Sequence, residues 1–307
     1  MKIAVVGASG FVGTSVRECL TSQGHQIVGV HAPRVAAADV AGGVDAHVSS
    51  MNALAASFRG VQAVVNCSGN PDASEQNSDA LLAANAVSPA VVARAARLAG
   101  VQRLVHVSSA VVQGRRPSLD ESDETEEFSS YAFSKAEGER RVRQEFSQAT
   151  VYRPPSVHSV SRRVTSMTAR IARSPIATVA APGDQPSPQA LIGNVASAIA
   201  FLAVTERTPP PVVIHPWEGL TSLDVMELLG GKRPLVLPRS VASCICRALE
   251  LAGTRVSAVA ANARRVEMLW FGQGQGLSWL TSAGWSPPFG REAWRELGEE
   301  VRSGQAS

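Results

Sequence analysis

The chain has 307 residues, 45% hydrophobic and 18% charged, with a formal net charge of +3. That size buries a substantial core, and the small charge is spread between acidic stretches such as "DESDETEE" and scattered arginines. No concentrated basic face marks a nucleic-acid partner, and four cysteines are too few for a disulfide framework at this length.

The first segment, "MKIAVVG", runs directly into an apolar strand with no leader-type h-region. The longest apolar run, "ALIGNVASAIAFLAV" (190–204), is too short to span a bilayer. A cytoplasmic location is expected, with no membrane partner. "KIAVVG", "QIVGV", "QAVVNC", "RLVHVSS" and "TVYRPP" read as strands buried on both faces. Between them lie helical stretches such as "FVGTSVRECLTSQG" and "SDALLAANAVSPAVVARAARLAG". This alternation predicts an α/β fold: a doubly wound parallel sheet with helices on both faces. A further strand, "PVVIHP" (211–216), is expected to return to the same sheet. After residue 154 prolines cluster at 182–188 and 209–211, and all five tryptophans lie in this half. Residues 1–154 are read as the nucleotide-binding domain and 155–307 mainly as a smaller substrate-binding part. Within it, "PWEGLTSLDVMELLGG" carries a helix-capping signal, with Trp217 near the pocket. Cys244 and Cys246 fall in a helical pattern and read as core thiols. The histidines lack metal-ligand spacing, so no metal site is expected.

"VVGASGFVG" (5–13) sits at the first strand–helix junction. Gly7 permits a tight turn, Gly10 lets backbone approach a pyrophosphate, and Gly13 allows close helix–sheet packing. Ser9, Phe11 and Val12 complete the turn, whose helix N-terminus offers free N–H groups and a positive dipole end. The spacing is G-x-x-G-x-x-G rather than the G-x-G-x-x-G dinucleotide fingerprint; its place at the first strand–helix junction favours a Rossmann dinucleotide site, and the competing reading is a glycine-rich turn of any α/β protein. The second strand ends "GVHAPR", with His31 where an acid would bind the ribose 2′-OH of NAD and Arg34 placed to meet a 2′-phosphate. NADP(H) is therefore favoured, with NAD as the alternative; the competing reading of Arg34 is a solvated loop charge.

"SSYAFSKAEGE" (129–139) places Tyr131 four residues before Lys135, on one helix face. An ammonium beside a phenol lowers its pKa, and a phenol so tuned can exchange a proton with a carbonyl oxygen as hydride moves. "VHVSSAVVQG" supplies Ser108 and Ser109 at the carboxyl end of a strand, where α/β sheets bind ligands.

With these motifs in order, joined by "VVNCSG", "LAANAVSP", "YRPPSVHS" and "AGWSPP", the chain resembles an extended short-chain dehydrogenase/reductase of the NAD-dependent epimerase/dehydratase family. The resemblance implies Ser109, five residues before Gly114, as the catalytic serine and Tyr131 as the general acid/base. Lys135 would bind the nicotinamide ribose, and Asn85 would support the site. It places Cys67, Ser68 and Gly69 beneath the cofactor and Pro154 near the nicotinamide. The departures matter. Ala110-Val111 replaces the Asp-Glu of dehydratases, which disfavours elimination of water. Ser156 stands for a sugar-contacting Asn, and His158-Ser159 stands for Tyr-Gly. An acid expected after a third strand is missing near "HVSSMN", and Asn194 replaces Asp. In the tail "RRVEMLWFGQGQGLSWLTSAGW", Arg264 or Arg265 can meet a substrate diphosphate or be ordinary surface arginines.

The reading is an NAD(P)-dependent oxidoreductase interconverting a ketone and a secondary alcohol, on a nucleotide-activated keto-sugar. The alternatives are a hydrophobic or sterol-like ketone substrate, a nucleotide-sugar C4 epimerase, and a non-catalytic dinucleotide-sensing regulator. The resemblance implies a homodimer formed through helices of the nucleotide domain.

Overall fold

The computed structural model describes residues 1–73, 75–253 and 266–304. The main strands are β1 (Lys2–Val6), β2 (Gln26–Val30), β3 (Ala63–Asn66), β4 (Arg103–Val107), Thr150–Arg153 and Val212–Ile214. They form one parallel sheet in the spatial order β2, β1, β3, β4, Thr150–Arg153, Val212–Ile214. Uninterrupted runs of Val, Ile and Ala need cover on both faces, and five of the six strands are buried along nearly their whole length. On one face Val16 and Leu20 of α1 (Phe11–Ser22) join Ile199 and Leu202 of the helix Ile192–Val204. On the other, Met51 and Leu54 of α2 (Val48–Ser57) pack with Val91 and Ala95 of the long helix Ser78–Leu98.

Two expectations are corrected. The strand β2, at one edge of the sheet, is half-exposed along its length, whereas the opposite edge strand Val212–Ile214 is buried, with Ser278 donating to Ile214 O beside it. The region before "HVSSMN" forms no strand: Val44–His47 is a 3₁₀ turn that runs into α2. Its apolar residues Met51, Leu54 and Phe58 repeat at helical spacing and bury one face. Ser78–Leu98 is apolar enough in length and composition to cross a bilayer, yet 72% of its most apolar window is buried inside the protein. It is a core helix.

That helix widens into a π turn over Ala83–Val87. Pro89 explains the turn. Its ring has no N–H to give the carbonyl four residues earlier and would press on it, and that carbonyl belongs to Asn85. The freed segment meets the helix Ser130–Glu145 at Gly138, where a Cβ would stand 2.0 Å from the Asn85 carbonyl oxygen.

The C-terminal elements are fastened to the sheet by a buried polar chain. The Tyr152 hydroxyl lies 2.5 Å from His215 Nδ1, and His215 Nε2 lies 2.9 Å from Glu218 Oε1. The Glu218 carboxylate also accepts from Leu191 N at 3.2 Å and from Trp294 Nε1 at 2.8 Å. Trp294 itself is fully buried on the helix Arg291–Ser303. In the helix Arg239–Gly253 Cys246 is buried, but Cys244 is exposed, so only one of that pair is a core thiol.

The Gly138 contact leaves no room for a methyl group. Gly138→Ala is expected to destabilise the protein by about 1–3 kcal/mol or more through overpacking, read as a lower urea midpoint. An unchanged midpoint would show that the two helices separate without cost.

Candidate active site

In a doubly wound sheet, ligands bind beyond the carboxyl ends of the strands where the chain order reverses. Here that point lies between β1 and β3. Gly7 turns there with φ +77°, and a Cβ on it would press to 3.1 Å from Ser68 N. Its N–H donates to Val30 O at 2.9 Å, and Gly10 N returns to Gly7 O at 2.9 Å, which closes the loop. Gly13 is required by packing, since a Cβ would stand 2.1 Å from Gly7 O. Ser9 and Gly10 are exposed, with Phe11 and Val12 partly so. The first turn of α1 has neither a side-chain cap nor an acidic residue. Among the described residues no side chain caps its first-turn N–H groups, and free donors at a positive dipole end are the set a dinucleotide pyrophosphate requires.

Past β3, Asn66 Oδ1 accepts from Ser68 N at 3.1 Å and from Ser68 Oγ at 2.6 Å, which fixes the Cys67–Ser68–Gly69 turn. Gly69 has φ +148°, and a Cβ there would stand 2.7 Å from Asn85 Oδ1 and 3.1 Å from Lys135 Nζ. Asn85, carried by the π turn, accepts from Asn70 N at 2.9 Å and donates to Asn70 O at 3.1 Å and Ser134 Oγ at 3.0 Å. The asparagine thus locks the Gly69–Asn70 loop to the helix that bears Tyr131 and Lys135.

Ser109 caps a 3₁₀ turn, accepting from Val111 N at 3.3 Å, and its hydroxyl is near enough to the Tyr131 phenol to favour the phenolate. Pro154 O accepts from Ala110 N at 2.9 Å and so anchors that turn to the neighbouring strand. Burial holds the Tyr131 phenol above its ordinary range, opposed by the Arg162 charge and by the Ser109 hydroxyl. Lys135 is buried, with Nζ 3.4 Å from Val107 O. Burial pushes its ammonium down to about 8, against the upward pull of the Glu139 carboxylate. The Cys67 thiol is pushed up to about 12 by burial, so it is held neutral.

Beneath the trio lies a buried ion pair that sequence reasoning missed. Arg153 Nη2 is 2.7 Å from Glu139 Oε2, and both side chains are inaccessible to solvent. Ser108 Oγ donates to the same carboxylate. Ser108 is therefore a strut, while its neighbour Ser109 faces the phenol. The signal was the repeat Tyr131, Lys135, Glu139 at i, i+4 and i+8, which puts all three on one helix face.

The expected substrate-side residues separate. His158 is buried, with Nδ1 3.1 Å from Thr165 Oγ1 and Nε2 2.7 Å from Gln189 Oε1. Burial pushes its ring down to about 4. Ser156 Oγ lies 3.3 Å from the same ring. Asn194 exchanges hydrogen bonds with the Phe289 backbone at 2.8 and 2.9 Å. Trp217 is 42% exposed and donates to Leu220 O. Arg34 is exposed on a loop held by Ser88 Oγ donating to Pro33 O at 3.0 Å. Arg264 and Arg265 lie outside the described residues.

The sequence profile of the NAD dependent epimerase/dehydratase family matches residues 3–212. No curated protein sequence matches the chain. Among solved structures, MoeE5 in complex with UDP-glucuronic acid and NAD is 17% identical, with a TM-score of 0.66 over 99% of this chain and 100% of that one. UDP-glucuronic acid 4-epimerase from Bacillus cereus in complex with NAD is 14% identical, with a TM-score of 0.66 over 99% of both chains. The dTDP-4-dehydrorhamnose reductase from Bacillus anthracis in complex with NADP is 17% identical, with a TM-score of 0.63 over 100% of this chain and 99% of that one. At these identities the likeness is one of fold.

The sequence has only three lysines, Lys2, Lys135 and Lys232, so Lys135 can be followed by nuclear magnetic resonance of labelled lysine. One signal is expected to titrate near pH 8, the value that burial sets. Glu139→Gln should move it lower, because the carboxylate favours the ammonium. It should also destabilise the fold by about 3–5 kcal/mol, since Arg153 is left buried and unpaired. Three signals all titrating near the ordinary lysine value would refute a desolvated Lys135.

Proposed function

The chain belongs to the NAD dependent epimerase/dehydratase family, and on that footing we propose that it interconverts a ketone and a secondary alcohol with an NAD(P) cofactor. The observation that carries this reading is the helix Ser130–Glu145, which sets Tyr131 beside Ser109 and, one turn on, buries Lys135 against Val107 O. A bound nicotinamide supplies or accepts the hydride. Every other task falls to side chains of the chain itself.

Gly7, Gly10, Gly13 and the first-turn amides of α1, at Phe11 and Val12, would hold the pyrophosphate. The Cys67–Gly69 turn and Pro154 would floor the nicotinamide end. Lys135, fixed against Val107 O, would hold the nicotinamide ribose through its ammonium. Ser109 would donate to the substrate carbonyl and set its angle. Tyr131 would give its proton to that oxygen in reduction and take it back in oxidation. Its phenol sits above the ordinary range in the protein alone, so it is poised as the acid. Lys135, one helical turn away, would then stabilise the phenolate through its ammonium.

For the substrate we favour a nucleotide-activated keto-sugar. Solved structures of this fold carry UDP-glucuronic acid or act on dTDP-4-dehydrorhamnose, and those ligands are theirs. The absence of an acid or amide at 110 and 111 supports reduction or epimerisation over loss of water, since Ala110 and Val111 offer no proton carrier. Residues 155–307 would supply most of the substrate contacts. NADP(H) is favoured over NAD because Arg34, exposed after β2, can meet a 2′-phosphate while His31 leaves that strand without an acid.

NADPH and NADH absorbance followed against a panel of nucleotide keto-sugars and apolar ketones tests the assignment. Turnover is expected with a nucleotide keto-sugar, and Tyr131→Phe should lower kcat by about 10²–10⁴-fold with cofactor affinity retained. Isomerised sugar with no net cofactor consumption would identify an epimerase. Unchanged behaviour of Tyr131→Phe in every assay would defeat the catalytic reading.

A further inference from the structure

Arg162 belongs to the C-terminal part by sequence, yet its guanidinium crosses to the nucleotide loop. The Cζ atom stands 4.6 Å above the centre of the Phe11 ring, and Phe11 is the first residue of α1. The charge of Arg162 also reaches Tyr131. The cation therefore lies between the phosphate turn and the catalytic phenol. Its Nε is buried with no hydrogen-bond partner among the described residues. A buried guanidinium donor without an acceptor is costly and calls for a ligand to complete it.

The arm is held at its root. Arg162 is the N-cap residue of the helix Arg163–Arg173, and its carbonyl accepts from Thr165 N at 3.0 Å. Thr165 Oγ1 in turn accepts from Ser159 N at 3.2 Å and bonds the buried His158 ring. So the 158–165 turn is pinned internally by the residue expected to contact substrate. The Phe11 face then steers the guanidinium by cation–π attraction.

We propose that Arg162 is a clamp for the dinucleotide pyrophosphate, closing on it from the side opposite the first-turn amides of α1. Two sources of positive charge, a helix N-terminus without a cap and an arginine with an open donor, converge on one small region. A doubly anionic group matches both, and a planar guanidinium gives directed, charge-assisted bonds to phosphate oxygens. The clamp rests on the dinucleotide reading above, and it gives the C-terminal part a direct hold on the cofactor.

The test measures dissociation constants of NADPH and NADH by fluorescence titration for the unaltered protein, Arg162→Gln, Arg162→Lys and Arg163→Gln. The pyrophosphate is common to both cofactors. Arg162→Gln is therefore expected to weaken both by a similar factor, about ten- to a hundredfold for a lost charge-assisted contact. Arg162→Lys keeps the charge without the fork and should recover part of the loss. It also carries the test if the Gln variant fails to fold. Arg163→Gln, exposed one residue on, should bind as the unaltered protein does. If the unaltered protein binds neither dinucleotide, the dinucleotide reading itself falls. If it binds and Arg162→Gln binds equally well, only the clamp falls. Weakening confined to NADPH would move Arg162 to the 2′-phosphate, and a rise confined to the KM of the sugar would move it to the substrate. Either outcome overturns the proposal.

Discussion

The site depends on one close approach. At position 138 the absence of a side chain lets the tyrosine helix settle against the carbonyl of Asn85, within the space of a single methyl group. That contact requires the π turn, and the π turn follows from Pro89 four residues on. The same backbone distortion presents Asn85 Oδ1 and Nδ2 to Asn70 and Ser134. A proline, a glycine and an asparagine from two helices therefore fix the height of the reactive helix face over the sheet.

On that face the charges are arranged in depth. Arg153 and Glu139 sit lowest and satisfy each other in the absence of solvent. Above them Lys135 is stripped of water but held within the field of Glu139, which keeps its ammonium from being lost altogether. Tyr131 lies outermost, in contact with Ser109 and within reach of the Arg162 charge. A buried ion pair adds little net stability when compared with apolar packing. Its use here is positional, because the Glu139 carboxylate also receives Ser108 and so ties the serine turn to the lysine helix.

Much of this was legible from local pattern. Short runs of β-branched residues located the six sheet strands, and glycine spacing located the tight turn after β1, because buried strands and tight turns impose their demands on neighbouring residues in the chain. Helical spacing put Tyr131 beside Lys135 for the same reason. What could not be read depended on partners distant in sequence. His158 looked like a ligand contact, but Gln189, 31 residues away, and the Trp294 ring draw it inward. The exposure of Cys244 turns on which side of its helix packs, a matter of rotation that composition does not fix. The missing strand before α2 was expected by analogy, whereas the local spacing of Met51, Leu54 and Phe58 already favoured a helix. Arg162 escaped notice because an arginine at the start of a helix carries no local signal of its contact with Phe11, 151 residues away.

The Tyr152–His215–Glu218–Trp294 chain bears on how such a protein can diversify. It welds the last helix to the sheet through groups that cannot be exchanged singly without stranding a carboxylate away from water. The C-terminal elements are thereby bound to the sheet as one unit, and sequence change is borne more easily by the turns between them than by the chain of bonds itself.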